Sequence, residues 1–231
     1  MREHAGRLQP GEWVLGGNFD YNRWPERRPS DRAPLDAAAP HNPVALHSRD
    51  GHSLWADSRA PQLAGITSDT PDPVGGRIVR GDDGEPTGFL QESAQRAVGR
   101  CGSGTHRGPT GPPPRSLPHA HAAGITSIHD FDGRDAREVY RRMHAAGELG
   151  LRVYKSLPLD MLDEALEAGY RTGAGDGWLR DGPLKIFTDG ALGSHSAALL
   201  EPYEGEPDNV GIEVVGPDEL AEILPRAARA G

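Results

Sequence analysis

Short apolar runs alternate with segments of helical composition along this chain, and that alternation is what most constrains its fold. Each run is consistent with a buried strand. Strands that alternate with helices are typical of parallel β/α architecture. The predicted strands are Trp13 to Gly17, Pro43 to His47, Ile125 to His129, Leu151 to Tyr154 and Leu184 to Thr188. The main predicted helices are Arg134 to Leu149, Met161 to Ala168 and Leu220 to Ala230, and a helix start is predicted between Trp55 and Leu63.

Charge and composition exclude several classes of protein. The formal net charge is −9 with basic residues scattered among acidic ones, which argues against a nucleic-acid surface. The single cysteine, Cys101, excludes an internal disulfide framework and a cysteine-based zinc site. No run approaches the roughly 20 apolar residues of a membrane span, and the N-terminus lacks the apolar core of a signal peptide. We therefore expect a cytoplasmic protein with no nucleic-acid or membrane partner.

The stretch from Leu184 to Tyr203 has the most unusual pattern, LKIFTDGALGSHSAALLEPY. Alternate residues of a strand share a face, so Lys185, Phe187 and Asp189 would lie on one side. A lysine in a buried strand is costly unless something pairs with it or modifies it. Spacing alone leaves two interpretations open, a paired or modified lysine and an edge strand whose lysine reaches solvent.

This stretch closely resembles a motif of the amidohydrolase superfamily, in its YtcJ-like branch, amidohydrolase family 3. Other segments resemble that branch in the same order, and five ordered matches are far more specific than one. The resemblance implies metal-dependent hydrolysis of carbon–nitrogen bonds other than peptide bonds, on a small amide-type substrate. The other segments are GEWVLGGNFDYNRW at 11–24, NPVALHSRDGHSLWADSRA at 42–60, PTGFLQESA at 86–94 and GITSIHD at 124–130.

For the fold, the resemblance implies a (β/α)8 TIM barrel that is longer than this chain. We therefore expect residues 1–231 to form one α/β domain, a partial and incomplete barrel. An incomplete barrel exposes two unpaired strand edges, so the chain alone is expected to be inactive and poorly stable. Residues 65–92 read as a small β excursion. Residues 99–118 are rich in Gly, Pro, Arg and Ser, and read either as a disordered insert or as a local frame change in the gene.

The resemblance also implies a divalent cation, expected to be zinc, at the mouth of the full barrel. It points to Lys185 as a metal ligand in its Nζ-carboxylated form, which turns a costly buried cation into a metal-binding anion. The His-x-His of the family's first strand is missing here. His119-Ala120-His121 does not replace it, because the proline-rich residues 112–118 cannot form the strand that such a pair needs.

Polar residues near the ends of the predicted strands are the remaining site candidates implied by the resemblance. The candidates for catalysis are His52, His129, Asp130 and Asp189. The candidates for substrate binding are Asp20, Asp50, Glu92 and His195.

Other interpretations stay open. His47, Asp50 and His52 lie within six residues and could bind metal, although a polar loop is the favoured interpretation. Glu92 is either a pocket carboxylate or a solvated acid at a helix start. The alternative function is a non-catalytic remnant, or a chain that completes a split barrel with a partner chain or within a homo-oligomer. A small binding module without metal has only the acidic balance and the loop content in its favour.

Overall fold

The computed structural model describes residues 1–26, 31–102 and 117–230. The chain divides into two compact units, each with its own sheet and core. The first unit comprises residues 1–106 and 187–215, and the second comprises residues 107–186 and 216–231. The chain therefore passes from the second unit back to the first within the stretch from Leu184 to Tyr203.

The first unit contains a five-stranded mixed sheet in the order β1-β2-β3-β5-β4. The first two strands are parallel, and every other neighbouring pair is antiparallel. The strands are β1 Val14–Phe19, β2 Val44–Ser48, β3 Ser53–Ala56, β4 Gly76–Arg80 and β5 Pro86–Glu92. The helices of this unit are α1 Arg2–Ala5, α2 Ala33–Ala38, α3 Arg59–Leu63 and α4 Gln95–Gly102.

The core of the first unit lies between its sheet and helices α3 and α4. Leu54 of β3 pairs with Leu90 of β5, and Ile78 of β4 lies opposite Leu90 on the next strand. All three side chains pack in one buried cluster with Ala60 of α3 and Val98 of α4. Burial of such aliphatic side chains is the main favourable term in folding. Strands β4 and β5, which come from the predicted excursion at 65–92, continue the sheet beyond β3.

The second unit contains a three-stranded parallel sheet in the order β6-β7-β8, built from two successive β-α-β connections. Its strands are β6 Ser127–Asp130, β7 Arg152–Pro158 and β8 Leu179–Lys185. Its helices are α5 Leu117–Ala122, α6 Arg134–Ala145, α7 Leu162–Glu167 and α8 Pro217–Ala230.

One face of this parallel sheet packs against helices. Val153 of β7 packs with Met143 of α6, and Leu157 of β7 packs with Ala165 of α7. Successive residues of a strand point to opposite faces. Tyr154, which follows Val153, therefore lies on the other face, where its ring centroid is 5.2 Å from that of His129 on β6.

The α/β class is confirmed, and the predicted parallel architecture describes the sheet of the second unit, whereas the sheet of the first unit is mixed because hairpins add antiparallel strands. The strand predicted at Leu184 to Thr188 is also misplaced, because β8 is Leu179–Lys185 and ends where the apolar run begins. Its sequence LRDGPLK shows no apolar pattern. Backbone pairing with β7, rather than burial of every second residue, holds this strand in place. Trp55 belongs to β3, and the helix expected to start there begins at Arg59.

The low-complexity segment at 99–118 lies mostly outside the described residues. Its first residues form the end of α4, and its last two form the start of α5. His119 and His121 lie on α5, where side chains two residues apart do not face each other. The His121 Nε2 atom is 2.8 Å from the Gly150 carbonyl oxygen. Within the described ranges, no helix has the length and the apolar character needed to cross a membrane.

Asp57 joins the start of β2 to the start of α3 in the first unit. Its Oδ1 atom accepts hydrogen bonds from the backbone N–H groups of Val44, at 2.9 Å, and Ala60, at 3.0 Å. Its Oδ2 atom is buried and has no partner among the residues that the structure describes. Burial raises the pKa of Asp57 above its ordinary value and outweighs the opposing effect of these hydrogen bonds.

This raised pKa predicts how stability depends on pH. The folded state binds a proton at Asp57 more tightly than the unfolded state does, so the stability contributed by this residue falls as pH rises from the unfolded pKa through the folded pKa. Asp57→Asn removes that titration. The free energy of unfolding of the variant minus that of the parent chain should therefore increase across this range and then level off. Urea unfolding at several pH values from 4 to 8 measures it, and a constant difference would contradict the prediction.

Candidate functional site

A histidine–carboxylate pair lies where β3 begins beside the end of β5 in the first unit. Ser53 is opposite Gln91 in the antiparallel register, and the Glu92 N–H donates to the His52 carbonyl oxygen at 3.1 Å. The His52 Nδ1 atom lies 2.9 Å from Glu92 Oε1 and 3.1 Å from Oε2. The two side chains are 23% and 11% exposed. The sheet register therefore creates this pair and leaves part of the imidazole accessible.

Two buried serines of the 184–203 stretch extend the pair. The Ser196 hydroxyl donates to Glu92 Oε1 at 2.6 Å and accepts from the Ala191 N–H at 3.1 Å. The Ser194 Oγ atom is 2.7 Å from Ser196 Oγ. A Cβ atom at Gly190 would lie 2.2 Å from Ser196 Oγ and 2.5 Å from Glu92 Oε1, so only glycine fits there. The glycine and serines of the motif thus enclose the carboxylate of Glu92.

Asp20 and Asp50 line one cavity of about 370 Å³ beside the carboxyl ends of β1 and β2. The Asp50 Oδ1 atom accepts hydrogen bonds from the Ser48 hydroxyl at 2.5 Å and from the His52 N–H at 3.0 Å. The Asp20 Oδ1 atom accepts from the Asn22 N–H at 3.1 Å. Ligands of β/α proteins bind at the carboxyl ends of parallel strands. These two residues are therefore placed where a small polar substrate could bind.

His195 belongs to a neighbouring polar cluster of the first unit. Its Nδ1 atom is 2.6 Å from Glu206 Oε1, and its ring stacks on Tyr203 with centroids 4.8 Å apart. Burial alone would raise the pKa of Glu206, but hydrogen bonds with Asn209 and His195 outweigh it and hold that pKa below its ordinary value. His195 also lines a second cavity, of about 750 Å³. Its backbone is left-handed, with φ at 52°, a strained conformation that is common at functional sites.

Asp189, also in the first unit, has hydrogen-bond partners of its own within the motif. Its Oδ2 atom accepts from the Ala198 N–H at 3.0 Å, and the Thr188 hydroxyl donates to Oδ1 at 3.3 Å. Asp189 also forms an isolated bridge with Glu213. In the described contacts this carboxylate thus shapes the loop that follows β8.

In the second unit, Asp130 lies in a buried cluster. The Lys155 side chain is 1% exposed, and its Nζ atom is 2.7 Å from Asp130 Oδ1. That ammonium also donates to the carbonyl oxygens of Asp132 and, at 3.2 Å, Ser156. The Tyr140 hydroxyl of α6 donates to Asp130 Oδ2 at 2.7 Å. Burial, together with this hydrogen bond, raises the pKa of Tyr140.

Sequence reasoning missed Lys155, although the signal was present. The segment RVYKSLP places a lysine between apolar residues, which is the argument that was applied to Lys185. Lys155 shares the helix-covered face with Val153 and Leu157, since residues two apart point the same way. Three acceptors for its three ammonium protons offset the cost of burial.

Lys185 and His129 lie on the opposite face of that sheet. Leu184 packs against the helix side with Leu157, so the next residue, Lys185, points away from the helices. Lys185 is half-buried, and its Nζ atom lies 5.2 Å from the centroid of the Phe131 ring. The structure thus brings His129 and Lys185 to one face and places Asp130 on the other.

The structure does not show a complete metal centre. Across residues 1–26, 31–102 and 117–230, no group of three or more His, Cys, Asp or Glu side chains is arranged to hold a metal ion. Catalytic zinc sites use three protein ligands. The described residues therefore do not by themselves fit the cation that the sequence resemblance implies.

The family model described as "Amidohydrolase family", amidohydrolase family 3, matches residues 1–231. The chain belongs to this family, as the sequence predicts.

Several curated relatives match the whole chain. It is 32% identical to the protein LONG AFTER FAR-RED 3 of Arabidopsis thaliana, and it covers 42% of that protein. It is 28% identical to YtcJ of Bacillus subtilis (strain 168), which is named as an amidohydrolase, and 30% identical to the N-substituted formamide deformylase of Arthrobacter pascens. It covers 44% of each of these two proteins. The chain thus spans less than half the length of these relatives.

A solved structure supports the fold. The chain resembles a metal-dependent hydrolase of Pyrococcus horikoshii OT3 with a TM-score of 0.60 and 22% identity, over 99% of this chain and 45% of that one. This likeness concerns the fold alone.

The buried Lys155 ion pair gives a stability prediction. Lys155→Met leaves the Asp130 carboxylate buried without its cation, and removing one partner of a buried pair costs about 3–5 kcal/mol. The double variant Lys155→Met with Asp130→Asn removes both charges and should recover most of that loss. Chemical unfolding measures each free energy.

The matched control is Arg226→Ala, which removes an exposed ion pair with Asp163 in the same unit. It should change the free energy of unfolding by only about 0–1 kcal/mol. Equal losses for Lys155→Met and Arg226→Ala would show that burial of the pair does not matter.

Proposed function

We propose that the protein containing this chain hydrolyses a carbon–nitrogen bond, other than a peptide bond, in a small amide-type substrate. The observation that carries the proposal is the His52–Glu92 pair at 2.9 Å, partly exposed and enclosed by the family motif. Membership of the amidohydrolase family supports the reaction class. The relative named as an N-substituted formamide deformylase supports an N-acyl compound as the substrate.

In this proposal the candidate residues divide by geometry. His52 is the proton-transferring group, because its ring is partly exposed and a carboxylate holds it. Asp20 and Asp50 bind polar groups of the substrate in the cavity that they line. His195 contributes to substrate binding at the larger cavity. Glu92 orients His52 rather than contacting substrate.

Three other candidates take different positions in the proposal. His129 is a catalytic candidate on the open face of the second unit's sheet, and Asp189 is one in the loop of the first unit. For Asp130 the geometry favours a structural role, since Lys155 and Tyr140 occupy both of its oxygens.

For the fold and the cation, we propose a partial (β/α)8 barrel and a divalent ion, zinc, that the whole protein binds. Lys185, at the carboxyl end of β8, would be one ligand in its Nζ-carboxylated form. The remaining ligands are not arranged among the described residues. We place the protein in the cytoplasm.

A second candidate function is a non-catalytic remnant, or a chain that completes a split barrel with another chain or a second copy. One observation favours it: the described part of the chain lacks an arranged set of metal ligands.

One experiment separates the two candidates. The longest protein that the gene encodes around residues 1–231 is purified with zinc and assayed for amine release from N-substituted formamides and other N-acyl amines. We expect turnover, with a loss of about 10²–10⁴-fold in kcat for His52→Gln, the range typical of a lost general acid or base. Residues 1–231 alone should show none.

The control is His4→Gln, which changes an exposed histidine of α1 and should leave kcat unchanged. Absence of amine release from every N-acyl compound, or the same loss in both variants, would contradict the hydrolase and favour the remnant.

A further inference from the structure

We infer that Glu92 and Ser196 are positioning residues that fix the proton of the His52 ring on Nδ1, so that Nε2 is the atom offered for proton transfer. The inference deepens the proposed function and rests on it only for the identity of the group that exchanges a proton with Nε2. The position of the ring proton is argued from the arrangement of hydrogen bonds.

The donors converge on one carboxylate. Glu92 Oε1 receives the Ser196 hydroxyl at 2.6 Å and faces His52 Nδ1 at 2.9 Å, while Oε2 faces the same nitrogen at 3.1 Å. An ionised carboxylate has acceptors only, so a proton must lie on the Nδ1 side of this contact. Hydrogen bonds to an ionised acceptor are about twice as strong as neutral ones, which favours this tautomer over the alternative.

The direction of the Ser196 hydroxyl is determined by its surroundings. Its oxygen accepts the Ala191 N–H at 3.1 Å, a backbone donor whose direction cannot reverse. The hydroxyl has one proton, and the carboxylate of Glu92 is the strongest acceptor within reach. Ser194 can then donate either to Ser196 or, at 3.2 Å, to the Ala191 carbonyl oxygen. Ser196 therefore supplies Glu92 with a donor that is independent of His52.

The backbone holds this carboxylate in place. Glu92 has a left-handed backbone with φ at 49°, which is uncommon for a residue with a side chain and costs free energy. Gly190 leaves no space for a Cβ beside Ser196 Oγ and Glu92 Oε1. Ser196 is fully buried. A strained conformation that is enclosed so tightly is consistent with positioning a functional group.

The consequence concerns His52. With its Nδ1–H bound to Glu92, the neutral ring has its lone pair on Nε2. A proton taken up at Nε2 gives an imidazolium beside the Glu92 carboxylate, and its release restores the starting state. Nε2 thus takes up and releases one proton in each cycle, and no further reactant is needed.

The test reads the tautomer directly. The 231-residue chain is labelled with 15N-histidine, and the His52 ring signals are assigned by their loss in His52→Gln. In the parent chain at a pH where the ring is neutral, we expect Nδ1 protonated and Nε2 unprotonated. In Glu92→Gln, which keeps the size of the side chain, the ratio of the Nδ1–H to the Nε2–H tautomer should fall about ten-fold, because the neutral amide oxygen accepts about half as strongly as the carboxylate and the amide NH2 group can donate to Nδ1 instead. In Ser196→Ala the ratio should fall less but measurably.

The matched control is Ser194→Ala. Ser194 is as buried as Ser196 and touches it, but it does not bond Glu92. It should leave the ratio unchanged. An Nε2-protonated ring in the parent chain, or equal shifts in Ser194→Ala and Ser196→Ala, would overturn the inference. The expected tautomer without amine release by the longer protein would count against the proposed reaction alone.

Discussion

Both units depend on the requirement that a charge removed from water has hydrogen-bond or oppositely charged partners. An ionised group removed from water without partners costs more than the whole net stability of a typical domain. In the first unit, Glu92 is met by His52 and the Ser196 hydroxyl. In the second unit, Lys155 is met by Asp130 and two carbonyl oxygens. The strand registers that bring these groups together, β3 with β5 and β6 with β7, are therefore also the registers that each unit can adopt at low cost.

The sequence predicted the elements better than the contacts. Most predicted strands overlap observed ones, because short apolar runs such as Pro43 to His47 reflect burial of the strand itself. The prediction misplaced β8 because the strand Leu179–Lys185 includes Asp181, Gly182 and Pro183, which do not form an apolar run. This strand is held by backbone pairing with β7. Nothing local in such a segment distinguishes it from a loop. Its position follows only from β7 beside it.

For the site, the sequence identified residue types but not their partners. His52 and Glu92 were both candidates, yet they are 40 residues apart and only the β3–β5 register brings them together. Ser196 was not a candidate, because a serine in a motif shows no period or charge that would mark it. The need for glycine at position 190 arises from the space occupied by Ser196 and Glu92, which only coordinates can show.

The carboxylates of Asp130 and Glu92 show why a similar residue type serves different purposes. Asp130 is bonded to an ammonium and to the Tyr140 hydroxyl, whose raised pKa keeps its proton in place near neutral pH. The ammonium of Lys155 and the hydroxyl of Tyr140 are thus both bonded to Asp130, and the cluster joins β6, β7 and α6. Glu92 instead faces a histidine, whose ring carries a second nitrogen, and histidine is the residue type whose proton exchanges near neutral pH. A carboxylate that fixes one side of an imidazole leaves the other side available. For this reason we propose a proton-transfer role for the Glu92 cluster and a structural role for the Asp130 cluster.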